Sequence, residues 1–257
     1  MIDPLDMAPD MAPALSAEGA DDADDLALAS LVLARRFSSG ATMWCVAPRW
    51  PEQARHVAVE FVHPVIVGSR ALPAVQVGGP ALVDDLRALV RPGDVLCAVG
   101  GSDEPTVVDS FRRAPAWGAM TIWIGAGRRP PAGAADHVLW TVDPEADPAL
   151  APHDGSLSLR YHMLWELTHV CFDHPGLLKV DEGEVCDGPV CITCSDEGRL
   201  AEVVTATGEL DAMATVRTGE GIEEVDTTLV GPLHAGDLVL VHAGSAITVV
   251  ADEVEAR

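Results

Sequence analysis

Between residues 42 and 141, continuous apolar runs alternate with segments of helical period, and this alternation constrains the N-terminal part of the chain more than any other feature. The runs at 42–47, 74–77, 94–99, 119–125 and 136–141 lack a polar face, the pattern of strands buried on both sides. Helical patterns at 51–62, 80–90 and 104–116 separate the strands. The first of them opens on Pro51 at its first turn. Another, at 23–37, presents Leu26, Leu33 and Phe37 before Ser38-Ser39-Gly40, and a long one at 156–172 closes the set. The expected fold here is a three-layer α/β domain with a parallel sheet covered by helices on both faces.

Past residue 190 the period changes. Five short apolar runs, 200–206, 212–217, 223–227, 237–242 and 246–250, are broken by Gly208-Glu209, Thr218-Gly-Glu-Gly221 and Ala235-Gly-Asp237. These breaks supply the positive-φ positions that tight hairpins need, so a small all-β barrel or sandwich is expected. The joint carries His174-Pro-Gly176 and Asp187-Gly-Pro189 as punctuation. The resulting division is a disordered tail at 1–22, an α/β domain at 23–173, a linker at 174–190 and a β-barrel at 191–257.

Sixteen basic residues stand against 40 acidic ones, a formal charge of −24, and this field repels phosphate backbones and anionic lipid. Nucleic-acid and membrane-surface roles are therefore excluded from the expectations. No stretch is apolar for long enough to cross a bilayer, and the N-terminus lacks the basic region of a signal peptide, so a cytoplasmic location is expected. In that reducing setting the six cysteines are expected as thiols, ligands or transient catalysts. Cys45 and Cys97, inside strand patterns, read as small core residues.

Three constellations carry chemistry. His56-x3-Glu60-x2-His63 and His162-x3-Glu166-x2-His169 share the spacing i, i+4, i+7, which places each triplet on one helical face. If the faces meet, His56, Glu60, His162 and His169 are candidate ligands for zinc or another divalent metal; if not, they are two solvated stripes. The loop Gly100-Gly-Ser-Asp-Glu-Pro-Thr106 offers Gly101, Ser102 and Thr106 as donors to a phosphate at a helix start, although Asp103 and Glu104 oppose an anion and the same turn serves as an ordinary helix start. Finally, Cys186, Cys191 and Cys194, with Cys171 or His174 as a fourth group, fit a cysteine-cluster metal or redox sensor.

The segments Cys191-Ile-Thr-Cys194, Glu223-Glu-Val-Asp-Thr-Thr-Leu-Val-Gly231 and Gly236-Asp-Leu-Val-Leu-Val-His-Ala-Gly-Ser-Ala-Ile247 resemble the HypC/HupF family of nickel-iron hydrogenase assembly chaperones. The resemblance implies an OB-like barrel. It also implies a Cys191 thiolate, with Cys194 second and His242 as its neighbour, that holds iron bearing cyanide and carbonyl ligands. The implied partners are a HypD-like scaffold and a hydrogenase large-subunit precursor. Two departures stand out: Cys191 is internal, and position 195 is Ser where the family has Pro.

Residues 24–172 are similar to the SIS phosphosugar-binding fold, in particular its sedoheptulose-phosphate isomerase branch. The similarity runs through His56-x3-Glu60, Pro64-Val-Ile-Val-Gly68, Leu72-Pro-Ala-Val75 and the helix holding Arg160-Tyr-His162 and His169. It implies a sugar-phosphate ligand, homo-oligomers formed through this domain and, for an enzyme, Glu60 and His169 as acid and base in an aldose–ketose isomerisation. Ala47-Pro48-Arg49-Trp50 stands where that branch has a glycine-rich phosphate loop, and Tyr161 stands where it has Gln. Three readings follow: an assembly chaperone with a docking or sugar-phosphate-sensing domain, a phosphosugar isomerase, and a cysteine-cluster sensor.

Overall fold

The computed structural model describes residues 17–64, 68–142, 155–179, 198–207 and 213–250, with side chains from residue 23 onward. In chain order the α/β part comprises α1 (Ala17–Ser38), β1 (Met43–Val46), α2 (Pro51–Val62), β2 (Ala74–Gln76), α3 (Leu82–Leu89), β3 (Val95–Val99), α4 (Pro105–Trp117), β4 (Met120–Gly127), β5 (His137–Val142) and α5 (Ser156–Asp173). The five strands form one sheet in the order β2-β1-β3-β4-β5, with every pair parallel. The expected three-layer domain is thus observed, and its elements fall within a few residues of the positions read from periodicity.

The helix α1 starts earlier than expected. It begins at Ala17, inside the segment expected as a disordered tail at 1–22.

Alternation along each strand sends successive side chains to opposite faces. Val95, Cys97 and Val99 of β3, with Met120, Ile122 and Ile124 of β4, pack against α1, α2 and α5. Leu96, Ala98 and Trp123 face α3 and α4, together with Trp117 and Trp140. Cys45 and Cys97 are register neighbours on β1 and β3, free and fully buried, and burial pushes the Cys97 thiol up to about 12. They are core residues, as expected. Asp94, also buried, ties the sheet edge together by accepting the Thr42 N–H, the Trp44 Nε1–H and the Arg91 N–H, each at 2.9 Å.

The C-terminal part is a closed barrel of β6 (Arg199–Ala206), β7 (Met213–Thr218), β8 (Gly221–Asp226), β9 (Leu238–His242) and β10 (Ser245–Val249), in the order β10-β8-β7-β6-β9. Its interior is filled by Ala201, Val203, Val216, Val225, Val239, Val241 and Ala246. Closure comes from β10, antiparallel to β9 and parallel to β8. Ala243 and Gly244, both at positive φ, form the two-residue turn that returns the chain from His242 to Ser245.

The barrel sits on the α3/α4 face, and Leu238 belongs to the core cluster of the α/β domain. At the seam, Gly118 ends α4 in the left-handed region at φ 73, and a Cβ there would lie 2.8 Å from the Gly219 carbonyl oxygen. Two backbones therefore touch at this point, and only glycine allows both the angle and the approach.

Candidate functional site

The long helix α5 crosses α2, and the crossing brings one end of each histidine stripe together. His56 Nε2 lies 3.1 Å from Glu60 Oε1, and His162 Nε2 lies 3.4 Å from the same oxygen. These three residues form the one group of potential metal ligands among the described residues. Glu60 is mostly covered, at 18% side-chain exposure, while both imidazoles are open to solvent. A tetrahedral zinc with bonds of about 2.0 Å holds its ligands about 3.3 Å apart, close to the distance of each imidazole nitrogen from Glu60, and all three ligand atoms lie within 4.8 Å of one another.

Behind the group stands Tyr161, whose hydroxyl lies 2.6 Å from His56 Nδ1, 2.9 Å from Ser158 Oγ and 3.2 Å from Gln53 Oε1. Holding Nδ1 in this way turns Nε2 of His56 toward Glu60, the second-sphere arrangement that orients histidine ligands. Burial raises the Tyr161 phenol above its ordinary value, with the Ser158 hydrogen bond opposing and the Glu60 carboxylate adding to the rise. The sequence showed Tyr161 only as the absence of a Gln. Its spacing of three from Ser158, and that of Gln53 from His56, was the available signal for a supporting polar layer.

His169 is not in this group. Its ring nitrogens face the Trp165 and Arg70 carbonyl oxygens, each at 2.9 Å, and the ring packs on Trp165. His63 and Glu166 are exposed outside the group as well.

At the ends of the strands, the loop of Gly101, Ser102 and Thr106 meets Arg49. The guanidinium lies 3.2 Å from Asp103 Oδ1 and 3.2 Å from Glu104 Oε2, and Glu104 is buried. Arg49 therefore answers the loop's own carboxylates, and the local field favours an external anion less than a free arginine would. A Cβ on Gly101 would meet Asp103 Oδ1 at 2.9 Å, so this carboxylate also closes over the glycine.

Cys186, Cys191 and Cys194 lie outside the described residues. His242 is half-buried at the last position of β9. Pairing of Arg199 with Val241 sets the start of β6 beside that end of β9.

A second polar cluster joins the two domains, and sequence reasoning missed it. Glu202 of β6, 2% exposed, accepts Arg87 Nε at 3.0 Å and Arg113 Nη1 at 2.8 Å on one oxygen, and Trp117 Nε1 at 2.8 Å on the other. Arg113 also donates to the Gly236 carbonyl. Partners on α3 and α4 stand 85 to 115 residues from Glu202, and no local period signals such a contact.

Among solved structures, a phosphoheptose isomerase from Francisella tularensis is 14% identical, with a TM-score of 0.47, over 59% of this chain and 90% of its own. A phosphoheptose isomerase from Neisseria gonorrhoeae is 16% identical, with a TM-score of 0.43, over 59% of this chain and 86% of its own. The sugar isomerase domain of an RpiR transcription factor from Sphaerobacter thermophilus is 16% identical, with a TM-score of 0.43, over 62% and 90%. No curated protein matches the chain. Residues 199–257, beginning at the first barrel strand, match the model of the HupF/HypC family.

Proposed function

We propose that the chain is a chaperone of nickel-iron hydrogenase maturation. In this reading Cys191, with Cys194 second, presents a thiolate that holds iron bearing cyanide and carbonyl ligands and passes it to the large-subunit precursor, with a HypD-like scaffold as the other partner. The observation that carries the reading is the family match over the barrel, residues 199–257. His242, at the last position of β9, is the candidate neighbour of the thiol, and an imidazole neighbour favours thiolate over thiol. Cys191→Ser is expected to leave the barrel folded and to abolish co-purification of the large-subunit precursor, while Cys194→Ser weakens it less. Unchanged capture and hydrogenase maturation in the Cys191 variant would remove this cysteine from the mechanism.

For the α/β domain, the convergence of His56, Glu60 and His162 favours a divalent-metal site, with zinc the candidate ion for two imidazoles and a carboxylate. Purified protein is expected to carry about one equivalent of metal and to lose it in Glu60→Gln, since a three-ligand site depends on each ligand. Metal analysis that finds none, before and after added zinc, would leave the group as a solvated hydrogen-bonded cluster. The domain then serves docking or sugar-phosphate sensing. Isomerase turnover is not expected, because Arg49 is engaged by Asp103 and Glu104, and His169 is held by two carbonyls away from the ligand group. Turnover of sedoheptulose 7-phosphate that disappears in Glu60→Gln would reverse this.

A further inference from the structure

Between α3, α4 and the barrel lies a cleft of about 880 Å³ lined by Arg87, Arg91, Arg113 and Arg217. Four of the sixteen basic residues of a chain with a charge of −24 thus face one concavity. This concentration of cations is local and opposes the overall field.

The carboxylates in the cleft are already committed. Both Glu202 oxygens are taken by Arg87, Arg113 and Trp117, and Asp84 pairs with Arg87. Asp237 accepts the His234 N–H at 2.7 Å. Arg91 and Arg217, by contrast, have no carboxylate partner among the described residues. Arg217 donates to the Arg87 and Val90 carbonyls at 2.7 and 2.6 Å and lies over the Trp117 ring at 6.0 Å. Arg91 spends Nη1 on the Ala88, Leu89 and Val90 carbonyls. The simplest role for both is to cap the C-terminal carbonyls of α3. That role uses two of the five N–H donors of Arg217 and one nitrogen of Arg91, so donors remain on two fixed cations. Burial lowers the Arg217 guanidinium from its ordinary value and Glu202 opposes this, while repulsion from Arg91 and Arg87 adds to the lowering; a bound anion would relieve that repulsion.

We infer that this interdomain cleft binds a small oxyanion of the phosphate or sulfate class, held by Arg217 and Arg91 with Arg87 and Arg113 behind them. The ligand is either a free ion or the phosphate group of a small ester. Arginine forks match tetrahedral oxyanions in geometry as well as charge. The site is separate from the strand-end loop of Ser102 and from the His56–Glu60–His162 group, and because both domains line it, occupancy would bridge them.

The test is isothermal titration calorimetry of the full chain, treated with chelator, at constant ionic strength, with inorganic phosphate and with glycerol 2-phosphate. Saturable binding of either probe at one equivalent is expected, and the tighter probe identifies free ion or ester as the source. Arg217→Gln and Arg91→Gln should each weaken it about tenfold, the loss typical of one charge-assisted hydrogen bond. Arg91 is exposed, so its replacement leaves the fold intact and keeps the test valid even if Arg217→Gln destabilises the seam. Absence of saturable heat with both probes would overturn the inference. So would affinity unchanged in Arg91→Gln, or affinity lost in Ser102→Ala instead.

Discussion

Glu60 and Glu202 each gather more than one polar partner, from its own helix and α5 for Glu60 and from two helices across the seam for Glu202, yet the two clusters differ in what those partners can do. Glu60 is partly open and meets two imidazoles, groups that can exchange a hydrogen bond for a metal bond. Glu202 is sealed and meets two guanidiniums and an indole N–H, which ligate nothing and stay protonated. The same carboxylate chemistry therefore yields a candidate working site where partners are replaceable and a structural joint where they are permanent. Burial decides how costly each is to disturb.

The sharpest way to break that contrast is Glu202→Ala. Removing it leaves the Trp117 indole and Arg113 in the seam, and the half-exposed Arg87 beside them, without their shared acceptor, although Arg87 keeps Asp84 and Arg113 keeps Asp109, and a loss of about 3 kcal/mol or more is expected. Chemical denaturation followed by tryptophan fluorescence and by far-ultraviolet circular dichroism measures it; a loss under about 1 kcal/mol would mean that the seam relaxes and water replaces the carboxylate. Asp94 sharpens the comparison, because it accepts three uncharged N–H groups in a buried position. Asp94→Ala should cost about 2–3 kcal/mol in the same measurement, less than Glu202 because no cation is stranded. The smallest effect belongs to Glu60→Gln in metal-free protein, about 0.5 kcal/mol or less, since its partners are solvated. If the Glu60 variant proves as costly as the Glu202 variant, the distinction between working site and joint fails.

Much of the architecture was legible because it rests on period. Apolar runs without polar alternation gave the parallel strands, and the shift to short runs with glycine breaks gave the barrel. The His56–Glu60–His162 group was half legible. His162 and His169 are seven residues apart, hence on one helical face, but about 10 Å apart along the axis. Which of them meets His56 and Glu60 depends on where α5 crosses α2, and a single helix's period contains no information about a crossing. The Arg49 bridge and the four-arginine cleft were hidden for a related reason: they join residues that only the assembled fold makes neighbours. Pairing of one cation, Arg49, with two carboxylates, Asp103 and Glu104, turns a loop that reads as an anion cradle into a turn that answers its own charges and stays net negative.

The seam at Leu238 and Gly118 has a practical meaning for anyone who wishes to cut the protein in two. Sequence places the division in the linker before Cys191, but the apolar cluster around Trp117 continues into the barrel through Leu238, with Leu200 and Val250 packed against it. A fragment trimmed at the linker would carry that greasy flank uncovered, and the complementary fragment would expose its counterpart. Each piece on its own is therefore expected to self-associate or to need a solubilising partner, whereas the two expressed together as separate chains should find each other through the same surface.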